Sequence, residues 1–373
     1  MERYRVLRID EQLYGCEELP EGQPVLCDVL LEDPAGQRRV LAYPDAELTR
    51  LDIHEGDIVH LCCHTLIKCQ EEHMKEIQSS ALIGLGALGI LFGRKMPGVQ
   101  VIADADRIAR YSASPVVCNG EACHFDYLTP AEGKPVDLIL IAVKATVLEQ
   151  AIRDIAKFVG PDTVILSVLN GITSEEAVEA AYPGHTLWSV AIGMDATRVG
   201  RSLTFGAAGR IQFGEKNGQM TERVRRVADY LDACGIANEP CSDILYKQWN
   251  KLMVNDGLNQ AAAAFDLPYG GLTQPGPAMD KMFEAMNEVI RLSQLEGVNL
   301  PDDNAHAVYD PMAASFKPEG MPSMRQDVLA HRPTEVEEFA GVVRRLAKKH
   351  GMPTPANDFF YEKIKEIEAS WEN

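Results

Sequence analysis

The sequence predicts three domains: a small β-rich domain over residues 1–76, an α/β domain over 77–242 and an all-α domain over 243–373. Short β-like runs bounded by turn residues fill the first region. In the second, apolar strand-like runs alternate with helical patterns, as the βαβ units of a mostly parallel sheet demand. In the third, apolar residues recur at helical spacing.

The β-rich region contains the runs RYRVLRI, PVLCDVLLED, RRVLAYP and DIVHLCCHTL. Because DPAGQ separates the second run from the third, it predicts a turn that joins them as a hairpin. These runs are typical of a small β-barrel or meander. Their composition does not distinguish a regulatory, protein-binding or oligomerisation role.

A cluster of potential metal ligands lies at the end of this region, within HLCCHTLIKCQEEH. Its members are His60, Cys62, Cys63, His64, Cys69 and His73. Zinc favours these residue types, but the spacing matches no paired zinc motif. Because the segment also has the pattern of a half-buried strand that carries small apolar thiols, we predict no metal site.

The second region begins with the strand-like run SALIGLG, followed by a helical pattern. Gly84, Gly86 and Gly89 form the order G-x-G-x-x-G at this junction. In that context Gly84 allows a tight turn, Gly86 lets a pyrophosphate approach the backbone, and Gly89 allows helix-to-strand packing. The helix-terminal N–H groups of Ala87 and Leu88 are expected to face the phosphates. The motif predicts a Rossmann dinucleotide-binding domain, with a ligand-free turn as the alternative.

Asp104 ends the next strand-like run, VQVIADA, twenty residues after Gly84. An acid at this place usually binds the ribose 2′-hydroxyl of NAD, whereas a nearby arginine accommodates the 2′-phosphate of NADP. Arg107 and Arg110 follow Asp104 closely. The preference between NADH and NADPH therefore stays open.

Two further polar residues follow apolar strands. Lys144 comes after DLILIAV, and Asn170 with Gly171 ends TVILSVLNG. Ligands of doubly wound sheets bind at the carboxyl ends of the strands, so both side chains are candidates for cofactor or substrate contacts. A lysine that extends to solvent is the alternative for Lys144.

The segment WNKLMVNDGLNQAAAAF predicts a helix with Lys251, Asn255 and Asn259 at i, i+4 and i+8. These three side chains form one narrow polar stripe between apolar edges. Such a stripe faces protein, where ammonium and amide groups need hydrogen-bonding partners. A solvated face is the alternative.

Composition narrows the functional classes. The chain has 373 residues and a formal charge of −19, which argues against nucleic-acid binding and against anionic membranes. No run approaches the roughly 18 apolar residues of a membrane span, and the N-terminus lacks a signal-peptide pattern. We expect a cytoplasmic protein whose nine cysteines are reduced thiols.

Several segments together resemble the ketopantoate reductase (2-dehydropantoate 2-reductase) family. They are GLGALG, AVKA, LNGITSEE, KLMVNDGLN, SMRQDVLAHRPTEVEEFAG and KKHGMPTPAN. The resemblance covers residues from about 77 to the C-terminus. It implies a Rossmann domain and an all-helical domain with the substrate between them.

The resemblance also implies roles for single residues. Lys251 corresponds to the general acid, and Asn255 and Asn259 to substrate-binding asparagines. Glu335 corresponds to the glutamate that holds the substrate hydroxyl, and Ser323 to the serine that binds the carboxylate. Without the family, Glu335 would be interpreted as an acid of a first helical turn and Ser323 as a helix cap.

Asn170 corresponds to the family asparagine at the nicotinamide end of the pocket, and Lys144 to a lysine on the cofactor side. The chain departs from the family pattern at Tyr269, where many members have asparagine, and at Asp104, where NADP-dependent members often have arginine. Residues 1–76 have no counterpart in the family.

The implied function is NAD(P)H-dependent reduction of 2-dehydropantoate to pantoate, a step of coenzyme A biosynthesis. A reductase for another branched 2-keto acid is the first alternative, since Tyr269 could reshape the pocket. A catalytically silent dinucleotide sensor is the second. Besides a small-molecule substrate, a homodimer and an unidentified partner of residues 1–76 stay open.

Overall fold

The computed structural model describes residues 2–12, 24–33, 36–62, 65–68 and 76–371. The chain divides into two compact units, Met1–Lys75 and Glu76–Asn373. Within the described residues, no helix has the length and apolar character needed to cross a membrane. The predicted boundary between the second and third domains, at residues 242 and 243, stays a prediction.

The first unit contains a five-stranded antiparallel sheet in the order β3-β2-β1-β4-β5. Its elements are β1 (Glu2–Glu11), β2 (Leu26–Glu32), β3 (Arg38–Pro44), α1 (Asp45–Arg50), β4 (Ile58–Cys62) and β5 (Thr65–Lys68). The Tyr43 hydroxyl accepts a hydrogen bond from the Leu66 N–H at 3.2 Å, so a side chain of the edge strand β3 reaches the backbone of the other edge strand, β5. Its apolar core includes Val6, Val29 and Val59.

Two predictions for this unit can be compared with the sheet. The DPAGQ turn is confirmed to the extent that β2 and β3 pair antiparallel around it, with Asp33 N–H donating to Gln37 O at 2.9 Å. The single strand predicted for DIVHLCCHTL is wrong. Its described residues form two strands, β4 and β5, because residues 58–62 and 65–68 pair antiparallel with each other.

The second unit begins with a ten-stranded sheet in the order β10-β7-β6-β11-β12-β13-β14-β8-β9, and β15 pairs with β14. Strands β6, β7, β10, β11, β12 and the start of β13 are parallel. The strands are β6 (Ser80–Ile83), β7 (Gln100–Ile102), β8 (Val116–Cys118), β9 (Glu121–Cys123), β10 (Asp126–Leu128), β11 (Val136–Ile141), β12 (Val159–Ser167), β13 (Thr186–Val199), β14 (Ser202–Gly214) and β15 (Asn238–Pro240).

The helices of this sheet region are α2 (Ala87–Gly93), α3 (Ala105–Ala113), α4 (Leu148–Asp154), α5 (Ser174–Ala181) and α6 (Glu222–Ala233). Short 3₁₀ turns cover Pro130–Glu132, Ala145–Val147 and Ala156–Phe158. Strand β6 is buried throughout and β11 nearly so, as expected for central parallel strands covered on both faces. The long antiparallel hairpin of β13 and β14 was not predicted from the sequence.

The rest of the unit is helical. Its helices are α7 (Ile244–Val254), α8 (Gln260–Ala264), α9 (Tyr269–Leu272), α10 (Pro277–Leu295), α11 (Asn304–Ala313), α12 (Ser323–Leu329), α13 (Val342–Lys349) and α14 (Pro355–Ser370). Its apolar core includes Met286, Phe339 and Phe360, which are fully buried. The all-α prediction for this region is therefore confirmed.

Two π-helical turns interrupt the predicted helices, at Asn255–Asn259 and at Glu337–Gly341. The regular helix predicted over 249–265 is wrong at the first of them. A Cβ atom at Gly257 would lie 2.5 Å from Met286 Cγ, so α10 packs directly against the backbone of this turn. Such turns frequently occur at functional sites.

Candidate functional site

The glycine-rich turn links β6 to α2, at the carboxyl end of the parallel sheet. Gly84 has a φ of +100°, and a Cβ there would lie 2.6 Å from Ala142 O. A Cβ at Gly89 would lie 1.9 Å from Gly84 O, so the packing of the fold itself requires both glycines. At Gly86 the nearest atom would be 3.5 Å away, an ordinary contact. The packing of the fold therefore does not itself require a glycine at this position, which agrees with the predicted approach of a pyrophosphate to the backbone beside Ala87 and Leu88.

Asp104 lies just beyond β7 and is the N-cap of α3. Its Oδ1 accepts a hydrogen bond from the Arg107 backbone N–H at 2.7 Å, while Oδ2 lies 3.5 Å from Arg107 Nε. Both side chains are exposed. Asp104 thus has a structural role as a cap, and its carboxylate is also accessible at the place where a ribose would lie.

A chain of hydrogen bonds joins three predicted site residues. Lys251 Nζ, on α7, donates to Asn170 Oδ1 at 2.8 Å. Asn170 Nδ2 donates to Glu335 Oε2, also at 2.8 Å. Asn170 follows β12, and Glu335 lies just before the second π-helical turn, so the contact joins the sheet region to the helical region. The ammonium and the carboxylate are each one hydrogen bond from the same amide.

Burial changes the proton affinities of both charged groups. It lowers the pKa of Lys251 to about 8, although Glu335 and Glu175 act in the opposite direction. Burial raises the pKa of Glu335, and the hydrogen bond from Asn170 partly offsets that effect. A lysine with a lowered pKa near neutrality is suited to proton transfer.

Asn255 and Asn259 mark the two ends of the first π-helical turn. Asn259 Nδ2 lies 3.4 Å from Asn255 Oδ1, so the two amides are neighbours. Asn259 is buried and Asn255 half-buried. The contact between the two amides agrees with this part of the predicted stripe, although the π turn differs from the regular α-helix that the i, i+4 and i+8 spacing assumes.

Lys144 contacts the segment that leads to Glu335. Its Nζ donates to Asp327 Oδ2 at 2.9 Å and to Pro333 O at 3.3 Å, and Arg332 Nε donates to Asp327 Oδ1 at 2.8 Å. Asp327 belongs to α12, whose first residue is Ser323. Ser323 is exposed, and in the part of the chain that the structure describes no hydrogen bond joins its side chain to Lys251, Asn170 or Glu335.

Several contacts of this region were not predicted. Arg198, near the tip of the β13–β14 hairpin, donates to Leu85 O in the glycine-rich turn. Thr173 Oγ1 donates to Glu338 Oε2 at 2.8 Å, next to the Asn170 bridge. Asp327 lies 183 residues from its partner Lys144. The sequence gives no local signal for such pairs, although the buried acid Asp327 follows Ser323 by one helical turn.

No group of three or more His, Cys, Asp or Glu residues that could hold a metal is found among the described residues. Cys63, His64, Cys69 and His73 of the predicted cluster lie outside that part of the chain. His60 and Cys62 lie on β4.

Comparison with protein-family models shows which family this chain matches. Residues 80–218 match the model described as ketopantoate reductase PanE/ApbA, and residues 243–368 match its C-terminal domain. The chain belongs to the ketopantoate reductase family. The matches include the glycine-rich turn, Asn170, Lys251 and Glu335, and they confirm the predicted resemblance and the nicotinamide dinucleotide cofactor. The preference between NADH and NADPH stays open.

Individual ketopantoate reductases are distant relatives. The 2-dehydropantoate 2-reductase of Lactococcus lactis subsp. lactis (strain IL1403) is 28% identical over 241 residues, which cover 61% of this chain and 74% of that protein. The enzyme of the same name from Streptococcus pyogenes serotype M1 is 27% identical over 291 residues, covering 74% and 92%. These relatives support an NAD(P)H oxidoreductase.

Solved structures confirm the fold class. A 2-dehydropantoate 2-reductase from Geobacter metallireducens GS-15 has a TM-score of 0.69 at 22% identity, covering 77% of this chain and 99% of that one. D-mandelate dehydrogenase with NADH and anilino(oxo)acetate has a TM-score of 0.70 at 24% identity, covering 79% and 100%. At such identities the similarity concerns the fold alone. The proteins that share this fold have names that refer to different substrates.

Proposed function

We propose that this protein reduces 2-dehydropantoate to pantoate with NADPH or NADH, and that Lys251 is the general acid. The observation that carries the proposal is the hydrogen-bonded bridge from Lys251 through Asn170 to Glu335. It brings a cation with a lowered pKa, a neutral amide and a buried carboxylate into one site at the carboxyl end of the sheet. The family membership gives the reaction class.

Lys251 has the property that reduction of a ketone requires. The bound cofactor supplies a hydride, and the carbonyl oxygen of the substrate then gains negative charge. An ammonium within hydrogen-bonding reach stabilises that charge and donates the proton, so that an N–H bond breaks as the O–H bond of the alcohol forms. With a pKa of about 8, Lys251 is protonated at neutral pH and gives up its proton readily.

Asn170 keeps these groups in position. Its amide oxygen accepts from Lys251 and its amide nitrogen donates to Glu335, which fixes the orientation of the amide. We propose that Glu335 also binds the substrate hydroxyl, since a carboxylate is an acceptor. Asn255, Asn259 and Ser323 are proposed substrate ligands from the family correspondence.

The proposed cofactor contacts are Gly84, Gly86, Ala87, Leu88 and Gly89 at the phosphates, with Asp104 and Arg107 at the ribose end. The first set is supported by Gly86, a glycine that the packing of the turn does not itself require. Lys144 is proposed on the cofactor side, although its ammonium pairs with Asp327 in this structure. Asn170 is proposed at the nicotinamide end.

The test is oxidation of NADPH and NADH by the purified protein, followed separately with 2-dehydropantoate and with a panel of other 2-keto acids. Oxidation that depends on 2-dehydropantoate supports the proposal. If the cofactor is oxidised only with a different 2-keto acid, the proposed substrate is wrong and the proposed reaction class still holds.

A reductase for another branched 2-keto acid is the second candidate. Tyr269 stands where many family members have asparagine, and its ring stacks on Phe316 with centroids 4.3 Å apart. Burial raises the pKa of the Tyr269 hydroxyl, which therefore stays neutral. An aromatic pair at this position favours apolar contact over an amide hydrogen bond, and the substrate panel distinguishes the two candidates.

Residues 1–76 are proposed as a structural or interaction module, in line with their separate core. A homodimer is also proposed, since one structural neighbour is described as a dimeric ketopantoate reductase from Staphylococcus aureus. Removal of residues 1–75 should leave turnover unchanged if the module is accessory. Light scattering of both forms reports whether it contributes to assembly.

A further inference from the structure

A second buried carboxyl group lies close to the helix of Lys251. Glu175, in the first turn of α5, is 1% exposed. Its Oε2 accepts a hydrogen bond from Ser174 Oγ at 2.8 Å, and its Oε1 accepts from the Ser189 backbone N–H at 3.3 Å. Ser174 in turn accepts from Ser167 Oγ at 2.7 Å. These hydroxyl and amide groups form a small polar network inside an otherwise apolar region.

Ser189 connects this polar network to α7. Ser189 donates its N–H to Glu175, and its carbonyl oxygen accepts from Gln248 Nε2 at 3.0 Å. Gln248 and Lys251 are i and i+3 on α7, so their side chains are neighbours on one face of the helix. Gln248 therefore links α7, the helix of Lys251, to the strand residue whose N–H binds Glu175. The Glu175 carboxylate raises the pKa of Lys251.

We propose that Glu175 is a positioning residue for the proposed reaction: its buried carboxylate helps to hold the proton on Lys251 until the substrate accepts it. The carboxylate favours the ammonium when it is ionised and loses this effect when it is protonated. The coupling is reciprocal, so loss of the Lys251 proton makes proton uptake by Glu175 easier. The inference rests on the proposed role of Lys251.

Glu335 is the other carboxyl group that raises the pKa of Lys251, and the remaining charged groups near Glu175 are exposed or paired elsewhere. Glu176, on the same helix, is exposed and pairs with Lys216. Strands β12 and β13 present Ser167 and Ser189, which are uncharged. On α4, which packs against α5, Glu149 pairs with Arg153 at 3.9 Å, and Asp154 accepts from Gln150. On α7, Lys247 pairs with Asp243 at 3.7 Å.

Burial raises the pKa of Glu175 to about 7, with the Ser174 hydroxyl, its own backbone N–H and the Ser189 N–H acting against it. Glu175 therefore changes its charge in the pH range where the enzyme would work. The pKa of Lys251 should therefore depend on whether Glu175 is ionised.

The experiment is an NMR titration of the Lys251 side chain in full-length protein with isotope-labelled lysine. The Lys251 signal is assigned by its loss in Lys251→Arg. The variant is Glu175→Gln, which keeps the shape and an acceptor oxygen, and the matched control is Glu176→Gln, which removes the same charge one residue away at the surface. We expect the pKa of Lys251 to fall by about half a unit or more in Glu175→Gln and to change much less in Glu176→Gln.

Equal pKa values in the wild type and Glu175→Gln would overturn the proposal. If Glu175→Gln does not fold, the wild type decides: its Lys251 signal should show an additional step near the titration of Glu175, and a single step would be contrary to the proposal. Because no substrate is present, these results are separate from the proposed function. Failure to reduce 2-dehydropantoate would not change the titration.

Discussion

Asn170 joins Lys251 to Glu335 through two hydrogen bonds of 2.8 Å, accepting from the ammonium and donating to the carboxylate. The three residues come from a loop after β12, from α7 and from the segment before the second π-helical turn. One neutral amide thus keeps a cation and an anion close together without a direct ion pair. The ammonium has an acceptor and still has other N–H donors for a substrate oxygen.

Replacing Lys251 by methionine should abolish most of the turnover. A general acid contributes roughly 10²- to 10⁴-fold, so kcat should fall by about 10³-fold, with dinucleotide affinity nearly unchanged. The control is Lys247→Met on the same helix, one turn earlier, whose ammonium pairs with Asp243. Steady-state kinetics and dinucleotide titration check the prediction. A kcat within about tenfold of the wild type would exclude Lys251 as the acid.

The rate of reduction should depend on the protonation of Lys251. Since its pKa is lowered to about 8, kcat should be constant below that pH and fall about tenfold per pH unit above it. The Lys251→Arg variant should not show this fall in kcat at alkaline pH, because a guanidinium keeps its proton throughout the range. A wild-type profile without loss above pH 8 would contradict the assignment.

Asn170→Ala removes both hydrogen bonds of the bridge. Turnover should fall by roughly one to two orders of magnitude, because Lys251 and Glu335 lose the group that orients them. Loss of the acceptor also disfavours the ammonium, so the alkaline limb should move to lower pH. Thr173→Val is the matched control, since it removes the neighbouring contact with Glu338 and leaves the bridge intact. Equal pH profiles in Asn170→Ala and the wild type would argue against the bridge.

Asp104→Asn tests the choice of cofactor separately from stability. Asparagine caps helices about as well as aspartate, so the hydrogen bond to the Arg107 N–H and the melting temperature should be retained. Removing the negative charge should raise kcat/KM for NADPH relative to NADH, with Arg107 left to meet a 2′-phosphate. An unchanged ratio in kinetics with both cofactors would show that Asp104 does not read the ribose.

Glu175→Gln should change how stability depends on pH. The pKa of Glu175 is about 7 when folded and 4.5 in its unperturbed form, so the folded chain binds a proton that the unfolded chain releases between these values. The stability linked to this proton is present below pH 4.5 and is lost as the pH rises through about 7. Relative to the variant, the free energy of unfolding of the wild type should fall by on the order of 3 kcal/mol between these two pH values. Urea unfolding of both proteins at pH 5 and pH 8 measures this change. If the free energy of unfolding differs between wild type and variant by the same amount at both pH values, Glu175 does not titrate in this range.

Much of the α/β fold could be predicted from local sequence patterns. The runs SALI and DLILI form β6 and most of β11, because continuous apolar runs are typical of strands that helices cover on both faces. The sequence predicted that Gly84 and Gly89 are needed for a tight turn and for close packing, and in the structure a Cβ at either position would clash with the backbone. The roles assigned to Lys251 and Glu335 depended on the family resemblance, since neither residue has a local signature of catalysis.

Other features depend on contacts distant in sequence. The π-helical turn at Asn255–Asn259 forms where α10 packs against Gly257, and helical periodicity carries no information about that approach. The Lys144–Asp327 ion pair and the Arg198 contact with Leu85 O join segments more than a hundred residues apart. Glu175 was also missed, because an acid in a first helical turn ordinarily indicates an exposed residue that favours the helix dipole.

The measurement that tests the central claim most directly is nicotinamide absorbance with 2-dehydropantoate, in parallel for the wild type, Lys251→Met and Lys247→Met. The account predicts substrate-dependent oxidation of NADPH or NADH by the wild type and Lys247→Met, and its loss in Lys251→Met. Binding of either dinucleotide without oxidation by the wild type, or full activity in Lys251→Met, would contradict it.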